Sequence, residues 1–193
     1  MIIGITGGTG CGKTTFLKAI ESCGGLVLDC DAIYHDLLKT DHALLSAIDA
    51  QFPGTVKNGT LNRKKLGSIV FNDKEALLTL NRITHSAVKQ EVLRLLTPEP
   101  ALAAIDAIGL FEGNLAELCK LTVAITAPVE MRVQRLMARD GIAEEYARAR
   151  ISAQRPQEEF VELCDYHLEN DGTAAQFQEK CLAFLRDLGI MNV

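Results

Sequence analysis

The chain has 193 residues, 48% of them hydrophobic and 23% charged, with a formal net charge of −5 at pH 7. These values fit one globular domain with a buried core. They give no reason to expect broad binding to nucleic acid or anionic membranes, and no apolar run reaches the roughly 18 residues of a membrane span.

The six cysteines form no C-x-x-C pair, and their spacing fits neither a zinc site nor a disulfide framework. We therefore expect reduced thiols. The opening residues MIIGITGG lack the basic flank of a secretory leader. Together these features predict a cytoplasmic protein.

The start of the chain predicts a strand–helix–strand unit. Met1–Thr6 has the pattern of a short buried strand, Gly7–Gly12 that of a turn, and the residues from Lys13 to about Ser22 that of a helix. Gly25–Asp29 predicts a second strand. A strand, a helix and a strand at this spacing indicate a βαβ unit with a parallel sheet.

The middle of the chain, from Asp31 to about Leu96, has helical periodicity and few strand signals. A turn-rich stretch, Phe52–Arg63, interrupts it with Pro53-Gly54 and Asn58-Gly59. We interpret this region as a helical insertion.

Strand and helix signals return after Pro98 and Pro100. Strands are predicted at Ala101–Ile108 and Leu121–Thr126, with a short one at Tyr166–Glu169. Helices are predicted from Pro128 onward, at about Glu144–Gln154 and at the C-terminal end. The expected apolar positions of the first and last of these helices are Val129, Val133, Leu136 and Met137, then Phe177, Cys181, Phe184, Leu185 and Leu188.

A phosphate-binding pattern, G-x-x-x-x-G-K-[ST], is matched by Gly7, Gly12, Lys13 and Thr14. Glycines let backbone N–H groups converge on phosphate oxygens, and the following helix directs its positive end to the same place. Lys13 is expected on the β- and γ-phosphates, and the Thr14 hydroxyl on Mg²⁺. The other residues predicted to bind the triphosphate are Gly8, Thr9, Gly10, Cys11 and Thr15.

A carboxylate follows the second strand, at the edge of the sheet where ligands bind in open α/β folds. Asp31 in this position suits a residue that orients an attacking hydroxyl and accepts its proton. The alternative role is an N-cap for a helix beginning at Ala32. Asp29 is interpreted as structural.

Six arginines and no lysine occur between Val129 and Arg155. Arg132, Arg135 and Arg139 have helical spacing, and the fork of arginine suits phosphate oxygens. The alternative is a solvated helix with ion pairs to the neighbouring acidic residues. We favour a mobile lid over the triphosphate.

The insertion is the natural place for a second substrate. Its candidate polar contacts are Arg63, Asn81 and His85, although a lone helical histidine is often structural. A GTPase switch is the competing class, because Asp106–Gly109 matches D-x-x-G. That class also needs an N-K-x-D motif, which the sequence lacks.

An ordered set of motifs extends over nearly the whole chain. Its members are Gly4–Thr14, Asp29–Asp31, Asn58–Arg63, Leu80–His85, Leu110–Glu112, Arg135–Gly141 and Asn170–Gly172. Together these motifs resemble the dephospho-CoA kinase family. Departures from the family pattern are Cys11 for serine, Ser86 for proline, Arg132 for the frequent glutamine, and Ile108-Gly109 where the family has proline and leucine. The D-G-[YF]-P-R signature of adenylate kinases is missing.

The resemblance implies an α/β P-loop kinase fold, a parallel sheet flanked by helices, with a helical substrate-binding insertion and a helical lid. The implied segments are a nucleotide-binding core of 1–30, 101–128 and 164–193, an acceptor-binding insertion of 31–100 and a lid of 129–163.

The implied reaction transfers the γ-phosphate of ATP, with Mg²⁺, to the 3′-hydroxyl of dephospho-CoA; another P-loop small-molecule or nucleotide kinase is the alternative. Dephospho-CoA is the expected partner, with no nucleic acid and no membrane. Asp31, Lys13 and Arg139 are the expected catalytic residues, and Arg135 the second lid candidate. Arg63, Asn81 and His85 are expected to hold the acceptor, and Asn170 to lie near the adenine of ATP.

Overall fold

A computed structural model describes residues 1–190 of the chain, so the last three residues of the segment 164–193 lie outside it. The strands are β1 Ile2–Thr6, β2 Leu26–Asp29, β3 Val56–Lys57, β4 Thr60–Leu61, β5 Ala103–Asp106, β6 Leu121–Thr126 and β7 Tyr166–Glu169. The helices are α1 Lys13–Ser22, α2 Cys30–Thr40, α3 His42–Gln51, α4 Arg63–Val70, α5 Lys74–Leu95, α6 Val129–Asp140, α7 Glu144–Ser152, α8 Gln157–Leu163 and α9 Ala174–Asp187.

The chain divides into two compact units. The sheet unit comprises Met1–Leu28, Glu99–Leu110 and the residues from Leu115 onward. The helical unit comprises Asp29–Pro98 and Phe111–Asn114.

The sheet has the strand order β2-β5-β1-β6-β7. β1 pairs in parallel with both β5 and β6, and β6 pairs in parallel with β7. Every residue of β6 is buried, as expected for its near-continuous apolar run LTVAIT in a strand covered on two faces. The predicted parallel sheet flanked by helices is therefore confirmed.

The core of the sheet unit lies between the sheet and the helices α1 and α9. Ile3, Ile5 and Val123 fill it from the strands, and Phe16 and Phe177 from the two helices. This packing holds the end of β1, and the loop that follows it, at the centre of the unit.

The helical unit has its own core, which includes Leu45, Ile48, Leu66 and Leu80. Its one departure from the predicted helices is the β3–β4 hairpin inside the turn-rich stretch Phe52–Arg63. Asn58 and Gly59 form its two-residue turn with φ of 51° and 72°. Asn-Gly is the sequence that favours such a turn.

Three details of the sequence prediction are wrong. The strand predicted at Ala101–Ile108 is confined to β5, and helix α8 was not foreseen. Val129 and Met137 were expected on the apolar face of α6, but they are 45% and 37% exposed. The buried residues of α6 are instead Arg132, Val133 and Leu136.

Helix α2 begins at Cys30, two residues before the start at Ala32 that an N-cap role for Asp31 required. Asp29 is its N-cap, since Asp29 Oδ1 accepts hydrogen bonds from the backbone N–H groups of Asp31 and Ala32 at 2.9 and 3.0 Å. The structural interpretation of Asp29 is confirmed, and the cap role for Asp31 is wrong. Within residues 1–190 the Asp31 carboxylate makes no hydrogen bond or ion pair, and it is exposed.

No helix within residues 1–190 combines the length and the apolar character that crossing a membrane demands.

Substitutions of Asp29 and Asp31 should change the free energy of unfolding by different amounts. Asp29→Ala removes an N-cap and should lower the free energy of unfolding by about 1 kcal/mol, measured by urea denaturation. Asp31→Ala, which removes no cap, is the matched control and should stay within about 0.5 kcal/mol of the parent. Equal losses in both variants would contradict the assignment of the cap to Asp29.

Candidate active site

The phosphate-binding loop joins β1 to α1 at the middle of the sheet. Gly7, Gly10 and Gly12 have φ of 141°, 77° and 102°, conformations that side-chain-bearing residues rarely adopt. Helix α1 then begins at Lys13, with its N-terminal N–H groups next to the loop. A loop of this shape with a helix N-terminus behind it is an anion-binding site.

Two side chains from outside the loop hold its carbonyl groups. Arg135 Nη1 donates to Gly10 O and Cys11 O at 3.2 and 3.4 Å, and Asn170 Nδ2 donates to Cys11 O at 2.9 Å. Arg135 Nη2 also donates to Asn170 Oδ1 at 3.1 Å. Asn170 was predicted near the adenine; its amide is buried and committed to the loop.

A third contact comes from Arg132, which is 2% exposed. Its Nε donates to Thr9 O at 2.9 Å. A trans peptide points its carbonyl and N–H in opposite directions. Because the carbonyls of Thr9 and Cys11 are bound on one side, the N–H groups of Gly10 and Gly12 face the other side, where a phosphate would bind.

Lys13 lies folded back along the loop. Its Nζ donates to Gly7 O at 2.9 Å and lies 4.0 Å from Asp106 Oδ1, with both side chains 14% exposed. In the sequence, Asp106 stood out only as part of a weak D-x-x-G pattern. Its position at the end of β5, the strand beside β1, was the signal that marked it as a site residue.

The remaining predicted loop residues differ in their surroundings. Thr14 is exposed in the first turn of α1. Cys11 packs into the core of the sheet unit, and burial raises the pKa of its thiol despite the opposing charges of Lys13 and Arg132. A buried thiol with a raised pKa is a poor nucleophile.

The outer arginines behave as the ion-paired alternative predicted. Arg139, the first lid candidate, pairs with Asp140 at 2.7 Å, and Arg150 pairs with the same carboxylate at 2.7 Å. These pairs lower the pKa of Asp140 to about 2. Arg148 pairs with Glu130 and Glu144. Arg132 and Arg135 follow the other interpretation, since both contact the phosphate loop.

The predicted acceptor residues all lie in the helical unit. Asp31 is in the first turn of α2, and Arg63 is the exposed first residue of α4. Asn81 and His85 are four residues apart on α5 and therefore share a face. His85 Nδ1 lies 3.2 Å from Glu112 O, within the same unit.

The Asn170 amide offers a direct test of the loop contacts. Asn170→Ala removes its bonds to Cys11 O and Arg135, and a buried hydrogen bond lost in this way costs about 1–3 kcal/mol. We expect MgATP affinity to fall about tenfold, measured by calorimetric titration. Asn72→Ala, an exposed amide in the helical unit, should not change the affinity. Unchanged binding in Asn170→Ala would refute the role given to the amide.

The comparisons with known proteins cover the whole site. The family model for dephospho-CoA kinase matches residues 1–176. The dephospho-CoA kinase of Carboxydothermus hydrogenoformans is 35% identical, over 96% of this chain and 93% of that relative. A crystal structure of a Thermus thermophilus protein is 34% identical with a TM-score of 0.80, covering 97% of each chain. Dephospho-CoA kinase from Campylobacter jejuni is 29% identical with a TM-score of 0.70, covering 98% of each. The chain therefore belongs to the dephospho-CoA kinase family.

Proposed function

We propose that this chain is an ATP-dependent kinase that transfers the γ-phosphate of ATP to the 3′-hydroxyl of dephospho-CoA, giving ADP and CoA. The observation that carries the proposal is the phosphate-binding loop. Its Thr9 and Cys11 carbonyls accept hydrogen bonds from side chains, which leaves the N–H groups of Gly10 and Gly12 directed to an anion. Membership of the dephospho-CoA kinase family supports the choice of acceptor. The absence of an N-K-x-D motif from the sequence disfavours a GTPase.

The nucleotide is assigned to the loop and the residues around it. When ATP binds, Lys13 Nζ exchanges its hydrogen bond to Gly7 O for bonds to the β- and γ-phosphates. The exchange is favourable because the phosphates are charged and the carbonyl is neutral. The Thr14 hydroxyl and the Asp106 carboxylate are oxygen donors of the kind that Mg²⁺ prefers. Mg²⁺, when bound, neutralises charge on the phosphates.

The acceptor is assigned to the helical unit. Asp31 is to accept the proton of the 3′-hydroxyl, because its carboxylate is exposed and Asp29 already supplies the helix cap. Arg63, Asn81 and His85 are to hold the rest of dephospho-CoA. Transfer of a phosphoryl group depends on positioning and charge neutralisation more than on a strong base, so a carboxylate is sufficient.

The segments keep the roles expected from the sequence: 1–30, 101–128 and 164–193 for the nucleotide, 31–100 for the acceptor and 129–163 for a lid. Within the lid, Arg135 already contacts the loop, whereas Arg139 is 61% exposed and pairs with the adjacent carboxylate of Asp140. An exposed ion pair of this kind is weak. Arg139 is therefore free to exchange Asp140 for the transferring phosphate. A cytoplasmic location completes the proposal.

The role of Asp31 is testable by one substitution. Asp31→Ala should lower kcat on the order of 10²-fold or more, because the hydroxyl loses its proton acceptor, with little change in MgATP affinity. Asp36→Ala, an exposed aspartate on the same helix, is the control and should keep normal turnover. Near-normal kcat in Asp31→Ala would remove Asp31 from the mechanism.

The acceptor is tested by offering ATP with dephospho-CoA, AMP or shikimate in parallel and following ADP release and product mass. Dephospho-CoA should be the preferred acceptor. Phosphorylation of AMP or shikimate, with dephospho-CoA untouched, would show that the chain serves a different substrate from the one proposed.

A further inference from the structure

We propose that Arg132 and Gln154 are positioning residues that fix the phosphate-binding loop by holding both backbone polar groups of Thr9. The proposal rests on the function proposed above and deepens it. If the loop is fixed in this way, it already has the shape that binds the triphosphate before ATP arrives. Neither residue was assigned this role from the sequence, and position 132 departs from the glutamine frequent in the family.

Three hydrogen bonds close a ring around Thr9, which we call the Thr9 clamp. Thr9 N donates to Gln154 Oε1 at 2.8 Å. Arg132 Nε donates to Thr9 O at 2.9 Å. Arg132 Nη2 donates to the same Gln154 Oε1 at 3.4 Å. The two side chains therefore hold one backbone residue and also contact each other.

The clamp decides which N–H groups of the loop can meet a phosphate. The N–H of Thr9 is committed to Gln154, so only the hydroxyl of Thr9 remains for the nucleotide. Because Thr9 O is bound by Arg132, the peptide that joins Thr9 to Gly10 keeps its N–H on the opposite side. The clamp thus fixes the orientation of the Gly10 N–H.

The loop is built to accommodate this guanidinium. A β-carbon at Gly8 would overlap Arg132 Nη2 and would lie 2.9 Å from its Cζ. A β-carbon at Gly10 would lie 3.0 Å from Arg132 O. Helix α6 therefore packs against the loop at two glycines, and the guanidinium fills the space that Gly8 leaves.

The chemistry of the two side chains suits a fixed loop. A guanidinium offers several donors in a rigid plane, so it holds a carbonyl and an amide oxygen at set directions, which a flexible ammonium does not. The nearby positive charge also favours a bound triphosphate. Loss of the clamp leaves two partly buried polar groups of Thr9 without these partners, and the loop must then move to satisfy them.

The experiment is a double-mutant cycle read by calorimetric titration of the whole protein with MgATP. Its readout needs no acceptor, so a failure of the proposed dephospho-CoA activity would leave it interpretable. Arg132→Met should weaken MgATP binding about tenfold or more, and Gln154→Met by severalfold. The double variant should be no more than about twofold weaker than Arg132→Met alone, because both changes release the same residue.

Two further variants complete the design. Arg186→Met, which removes an exposed arginine from α9, is the matched control and should bind MgATP normally. Arg132→Lys keeps the charge without the fork, so it should still bind severalfold more weakly than the parent; it also serves if Arg132→Met fails to fold.

Three results would overturn the proposal. One is a parent-like affinity in Arg132→Met even where its melting temperature falls, which would leave a purely structural role. Another is full affinity in Arg132→Lys, which would assign the effect to charge alone. The third is a double variant whose loss equals the product of the two single losses.

Discussion

The site depends on one constraint, namely that two backbone carbonyls of the phosphate loop accept hydrogen bonds from side chains outside the loop. Arg132 holds Thr9 O, and Asn170 and Arg135 hold Cys11 O. A backbone peptide cannot turn its N–H without turning its carbonyl. The donors that a triphosphate needs are therefore oriented by side chains that hold the loop carbonyls, and binding does not have to supply the cost of ordering them.

Because of this constraint, the arginines of helix α6 have different surroundings along its length. Arg132 and Arg135 contact the phosphate loop, whereas Arg139 and its partner Asp140 are on the surface at the C-terminal end. A single helix therefore carries both the fixed groups that shape the nucleotide site and the solvated group that we assign to the transferring phosphate.

The sequence predicted those features whose cause is local. The turn Gly7–Gly12 and the helix from Lys13 to Ser22 follow from glycine spacing and an apolar period, and both match the structure. The hairpin at Asn58-Gly59 was missed because each strand has two residues, too few for an alternating pattern. Helix α8 has only seven residues and was missed for a similar reason.

The site residues that the sequence missed act at long range. Gln154 and Thr9 are 145 residues apart, and no spacing rule joins them. Arg132 was singled out as a departure from a family pattern, but its contact with the loop follows only from the packing of α6. Asp106 was noted only in a weak switch-like pattern, because its place next to β1 depends on strand pairing, which a one-dimensional pattern does not contain.

A crystal structure of the protein with Mg²⁺ and a non-hydrolysable ATP analogue tests the central claim most directly. The account predicts that Thr9 N is still bound to Gln154 and Thr9 O to Arg132, with the Gly10 and Gly12 N–H groups on phosphate oxygens and Lys13 moved from Gly7 O to the phosphates. A loop in which the Thr9 N–H binds phosphate, with Arg132 and Gln154 displaced from Thr9, would contradict it.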